Sequence, residues 1–174
     1  IIVFNDNQMS IAENHGGMYD QFAELRRTNG AAENNLFKSM GLDYLYVNDG
    51  NDIEALIAAF EQVKDSTHPV VVHINTLKGK GYAPAEANKE KWPWHMPFDI
   101  QTGQSPTSGS SESYASIFAE YALKRAKNDP KFLVLMSAVH GLLGLTQERR
   151  EELGKHYLDV GIAEETAVAM ASGA

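Results

Sequence analysis

Short β-branched runs alternate with amphipathic helical stretches along this chain, and that alternation constrains its fold more than any other feature. Pro69–Asn75 (PVVVHIN) and Ile1–Phe4 (IIVF) are apolar runs too short for a buried helix and suited to strands covered on both faces. Between them, Asp52–Lys64 places Ile53, Leu56, Ile57, Phe60 and Val63 at helical spacing, with Asp52 near the start. Tyr19–Arg27 and Ala32–Met40 have helical character, and Leu42–Val47 alternates as a strand. Strand and helix in turn predict an α/β layer whose sheet is mainly parallel.

Leu77–Ser111 interrupts the pattern with four of the six prolines, both tryptophans and the run TGQSPTSGSS. The pattern then restarts. Tyr114–Asn128 reads as an amphipathic helix, Phe132–Met136 as a buried strand, Thr146–Leu153 as a helix, His156–Val160 as a strand, and Glu164 onward as a helix. The expected organisation is two partial α/β units, residues 1–100 and 113–174, joined by a linker over 101–112. The chain opens on a strand already under way and closes inside a helix, so an interior piece of a longer protein is the expectation.

Composition removes several function classes. Fifteen Lys and Arg against 23 Asp and Glu give a net charge of −8, the wrong sign for a nucleic-acid surface. With no cysteine there is no disulfide scaffold, thiolate zinc site or cysteine nucleophile. No apolar run approaches the roughly 18–20 residues that cross a bilayer, which makes the cytoplasm the expected compartment.

The run NDNQMSIAEN, Asn5 to Asn14, follows a strand directly, where open α/β sheets place their ligands. Magnesium takes hard oxygen donors and shares them with substrate phosphates. An Asn side-chain oxygen and a backbone carbonyl two residues later can fill two neighbouring positions on such an ion, and Asn7 and Met9 have that spacing. The same composition also suits a polar turn that satisfies only its own backbone.

NDNQMSIAEN resembles the second half of the thiamine diphosphate motif of the transketolase family, in the form carried by its 1-deoxy-D-xylulose-5-phosphate synthase branch. NNLFKSMGLDY (Asn34–Tyr44), GNDIEAL (Gly50–Leu56), KGKGYAPAE (Lys78–Glu86) and DVGIAEE (Asp159–Glu165) resemble further family blocks in the same order. The resemblance implies parts of two thiamine diphosphate-binding-fold domains, the end of the diphosphate-binding domain and the start of the pyrimidine-binding domain. It also implies Mg2+ ligation by Asn7 and the Met9 carbonyl, with a third ligand, the Asp of a Gly-Asp-Gly, upstream of Ile1. Tyr82 matches a position lining the cofactor, and Lys78 is expected near bound phosphates; by composition alone Lys78 and Lys80 also read as a solvated basic turn.

Glu164 matches the family's cofactor-activating carboxylate, which hydrogen-bonds the aminopyrimidine ring; Val160, Ile162 and Ala163 offer apolar surroundings that would raise a carboxyl pKa. Glu164 and Glu165 also suit the first turn of a helix, where the macrodipole favours carboxylates. His95, in WPWHMPFD, resembles a His before a Pro-containing turn near the substrate, in a shortened version lacking the family's Lys. His68 and His73 read as structural, His15 is unassigned, and His140 stands where the synthases carry a Thr-Gly-Thr-Gly-like turn.

The activity implied is decarboxylation of pyruvate and joining of its two-carbon unit to D-glyceraldehyde 3-phosphate by a homodimeric parent, in isoprenoid and thiamine biosynthesis. The 174 residues alone are expected to be inactive. The alternatives are another transketolase-type ketol transferase and a non-catalytic α/β module.

Overall fold

The computed structural model describes residues 1–13, 16–92, 96–105 and 112–174. His95 and His15 lie outside the described residues, as does the Ser/Gly stretch 106–111. The chain is mixed α/β with parallel strands flanked by helices, as its patterning predicts, and it divides into two compact units. Ile1–Met9 with Glu13–His95 form the first; Ser10–Ala12 with Met96–Ala174 form the second.

The first unit holds a three-stranded parallel sheet of β1 (Ile2–Asp6), β2 (Asp43–Val47) and β3 (Val70–Asn75), with β3 in the centre. Register aligns His73 with Phe4 on one side and Tyr46 on the other. Successive side chains point to opposite faces, so the sheet has two chemically different sides. Val70, Val72 and Ile74 face α3 (Ile53–Val63), and with Val47, Ala59 and Val63 they make an aliphatic core. The other side carries Phe4, Asp6, His73, Tyr44 and Tyr46 beneath α1 (Gly17–Arg27) and α2 (Leu36–Ser39), where Phe4, Phe22 and Phe37 pack around the His73 ring.

Two helices differ from their sequence expectation. In α3 the buried face runs through Ala55, Leu56, Ala59, Phe60 and Val63, while Ile53 and Ile57 are 64% and 50% exposed. Small Ala59, 4% exposed, sits at the contact, and Ile53 and Ile57 are rotated outward. The helix expected over Ala32–Met40 is confined to Leu36–Ser39. Asn29 and Gly30, at φ 52° and 80°, hold the preceding segment in a turn, and the Asn35 side chain caps the helix by accepting from the Phe37 and Lys38 amides.

The second unit pairs β4 (Val134–Met136) in parallel with β5 (Tyr157–Asp159). Helices α5 (Tyr114–Asn128) and α6 (Gln147–Leu153) supply Ala119, Ala122 and Leu153 to a core with Val134, Met136 and Leu145. Ser113 and Ser116 cap α5 reciprocally. Near the start of the second unit's main segment, Asp99 accepts hydrogen bonds from the Gln101 and Thr102 amides and the Thr102 hydroxyl, so part of the stretch read as a linker is a structured turn. The short helix α4 (Ala83–Ala87) interrupts the loop after β3, and α7 (Glu164–Gly173) follows β5.

Candidate functional site

Asn7 and Met9 leave the carboxyl end of β1 in a tight turn. The Met9 amide donates to Asn7 Oδ1 at 3.0 Å, and the Gln8 amide donates to Asp6 Oδ1 at 3.1 Å. Gln8 between them has φ 65°, a left-handed conformation rare outside glycine. Two consecutive Asx-type bonds therefore hold the backbone where it would not settle unaided. A cavity of about 280 Å³ opens beside the turn, lined by Asn7 and Met9 together with Tyr19, Phe22 and Phe37.

Beneath the turn lies a buried polar cluster that sequence reasoning passed over. Asp6 Oδ2 accepts from Arg26 Nη1 at 2.5 Å and from His73 Nε2 at 2.9 Å, and the Tyr44 hydroxyl lies 2.7 Å from His73 Nδ1. His73 is fully buried and the Asp6 side chain 5% exposed. A ring with its hydrogen on Nε2 satisfies both contacts, donating to Asp6 and accepting from Tyr44. His73, read as structural from sequence, is packed as such, but its polar edge is joined to the residue preceding Asn7. The participants are separated by up to 67 positions, so local spacing carries no signal of them.

Lys78 and Tyr82 follow the carboxyl end of β3, the strand adjacent to β1. The two strand ends are tied: Thr76 donates through its amide to the Asp6 carbonyl at 3.0 Å and through its hydroxyl to Asn5 Oδ1 at 2.6 Å. Tyr82 packs edge-on against Trp92 with centroids 5.1 Å apart. Burial lowers the Lys78 pKa and nearby Glu90 opposes that shift. Gly79, within KGKGY, has φ 84°, and a Cβ there would stand 2.8 Å from the Ala85 carbonyl carbon. Gly79→Ala is therefore expected to cost about 2–4 kcal/mol, from left-handed strain and a clash with backbone that cannot move aside. Urea unfolding of the variant checks it; a loss below about 1 kcal/mol would mean that the loop re-forms around the methyl group.

Glu164 opens α7 in the second unit and is exposed; Ile162 is 62% exposed, so the apolar surroundings expected for the carboxylate are not formed within this unit. Five positions earlier Asp159 ends β5. Its Oδ1 accepts from the Ala138 amide at 2.9 Å and the Gly161 amide at 2.8 Å, and its Oδ2 from the Tyr157 hydroxyl at 3.2 Å. His140 Nδ1 lies 3.5 Å from that second oxygen.

Asp6 and Asp159 share an electrostatic consequence. Burial pushes each carboxyl upward, but the His73 and Arg26 contacts on Asp6, and the Gly161 and Ala138 amides on Asp159, outweigh it and hold both below the usual value. The folded chain thus binds these protons less readily than the unfolded one. The stabilisation is complete above the ordinary carboxylate pKa near 4 and is lost as pH falls through it toward the folded values. Denaturant midpoints are accordingly expected to drop between about pH 5 and pH 3, less steeply in Asp6→Asn than in the wild type; parallel pH profiles would contradict this.

As a donor set, an amide oxygen and a main-chain carbonyl two residues apart, free of sulfur and imidazole, suit a hard cation such as Mg2+. Among the described residues no group of three or more His, Asp or Glu side chains could hold a metal ion.

A family model described as 1-deoxy-D-xylulose-5-phosphate synthase matches residues 28–76. A curated 1-deoxy-D-xylulose-5-phosphate synthase of Halalkalibacterium halodurans is 34% identical over 211 residues, covering 99% of this chain and 33% of the relative. The chain belongs to the 1-deoxy-D-xylulose-5-phosphate synthase family. The synthase of Clostridium perfringens strain 13 is also 34% identical, over 208 residues and 99% of this chain, and covers 33% of that relative. That of Thermosynechococcus vestitus is 39% identical over 140 residues, 79% of this chain and 22% of the relative. The chain spans about a third of the length of the curated synthases it matches. The first two alignments are longer than the 174 residues of this chain, so those synthases carry positions within the matched stretch that have no counterpart here.

Proposed function

We propose that these residues serve in a thiamine diphosphate- and Mg2+-dependent transferase that decarboxylates pyruvate and joins the two-carbon unit to D-glyceraldehyde 3-phosphate, for isoprenoid and thiamine precursors. The observation that carries the reading is similarity to synthases of that name across 99% of the chain. Residues 1–100 are then the end of the diphosphate-binding domain, 101–112 a linker, and 113–174 the start of the pyrimidine-binding domain. A cytoplasmic homodimer is part of this reading; among the described residues no helix is long and apolar enough to cross a membrane.

In this reading Asn7 Oδ1 and the Met9 carbonyl would hold Mg2+. Lys78 offsets phosphate charge and Tyr82, braced on Trp92, lines the cofactor. Glu164 would hydrogen-bond the aminopyrimidine ring, and its exposure leaves the carboxylate accessible for that contact. His95 acts on substrate. Thiamine diphosphate, when bound, supplies the nucleophilic carbon and the electron sink.

The test is turnover by the complete polypeptide in which these residues occur. Carbon dioxide release from pyruvate with D-glyceraldehyde 3-phosphate is expected, without ketol exchange between xylulose and ribose phosphates. Ketol exchange without carbon dioxide release would replace the reading by a transketolase-type activity.

A further inference from the structure

We propose that Asp6 is the positioning residue of the Asn7–Met9 turn: its buried carboxylate joins the Gln8 amide to His73 and Arg26 and so sets the direction in which the Asn7 and Met9 oxygens face a hard cation. The inference rests on the reading of Asn7 and Met9 as magnesium ligands.

Asp6 is the carboxylate nearest the turn in sequence, yet its side chain is 5% exposed and turned to protein donors, Oδ1 to the Gln8 amide and Oδ2 to Arg26 and His73. It is thereby a brace for the turn and not one of its ligands. The partners belong to three elements: β1 supplies the carboxylate, α1 supplies Arg26, and central β3 supplies a His73 that is itself held by Tyr44 of β2. Gln8 at φ 65° has no steric preference for its conformation, and the bond to Asp6 supplies one. Asn7 Oδ1 spends one acceptor position on the Met9 amide and retains the second. Orientation of the two donors therefore derives from the centre of the sheet through Asp6 as well as from the loop's own Met9–Asn7 bond. Partners of this kind behind metal ligands typically control affinity by about 10–100-fold.

The test uses the full 174-residue chain, labelled with nitrogen-15, and Mn2+ as the probe. Broadening of the Asn7 and Met9 amides that excess Mg2+ reverses measures binding at the turn. Asp6→Asn keeps an acceptor for Gln8 but turns a donor toward His73 and Arg26. It is expected to raise the Mn2+ concentration for half-maximal broadening about 10-fold while Val70, Val72 and Val47 keep wild-type signals. Val63→Ala destabilises the same unit from the aliphatic side and is expected to leave that concentration within about twofold. Should Asp6→Asn fail to fold, Arg26→Gln is read in the same way with a smaller shift. Wild-type affinity in Asp6→Asn or Arg26→Gln with the aliphatic signals intact, or equal weakening in Val63→Ala, overturns the proposal. Absence of Mg2+-reversible broadening in the wild type shows that the turn of this chain does not hold the ion by itself and also overturns this inference.

Discussion

Asp6→Ala is expected to destabilise the first unit by about 3–5 kcal/mol, because it leaves a cation and an imidazole N–H facing each other without their shared acceptor. The Arg26 side chain is 19% exposed and His73 fully buried, so water cannot replace the lost carboxylate at both groups. The size comes from the penalty on what remains, more than from the worth of the cluster itself. A well-packed apolar replacement of the whole cluster would cost far less. Adding Arg26→Met to Asp6→Ala is consequently expected to recover part of the loss, since no unpaired charge is then left behind. Trp92 packs against Tyr82 within the first unit, so urea unfolding followed by tryptophan fluorescence reports on it. A loss below about 1 kcal/mol in the single variant would show that His73 and Arg26 find other acceptors.

How legible this arrangement was in sequence depends on the range of the interaction. The PVVVHIN strand and the helix Tyr114–Asn128 were readable because their signals are local: β-branched bulk in one, helical spacing in the other. The turn at Asn7 was legible for the same reason, since an Asx bond spans two residues. Failures came where tertiary contact decides. Nothing in the spacing of α3 says that Ala59, and not Ile53 or Ile57, meets the sheet. Nothing near His73 indicates that its two partners stand 67 positions upstream and 29 positions upstream. A histidine in an otherwise aliphatic strand does say that a buried polar partner must exist somewhere, because an unpaired imidazole there costs too much.

Asp159→Ala is expected to cost the second unit about 2–4 kcal/mol and to displace the chain leading to Glu164. Like Asp6, Asp159 ends a parallel strand and accepts from the amide two residues on, here Gly161 at φ 76°. Its second tie differs. It reaches 21 positions back to the amide of fully buried Ala138, which sits at φ 65°. Removing the carboxylate strands a buried donor at a strained residue, at about 1–3 kcal/mol, and frees the Gly161 turn as well. Asp159→Asn retains an acceptor for both amides and loses only the charge facing Tyr157 and His140, so it is expected to cost about 1 kcal/mol. Hydrogen exchange separates the two outcomes at residue level. In the alanine variant the Ala138 and Gly161 amides are expected to lose protection while the α5 core at Ala119 and Ala122 keeps it; in the asparagine variant all four stay protected. Equal exchange in both variants would mean that the strand pairing of β4 with β5 alone fixes the turn before Glu164.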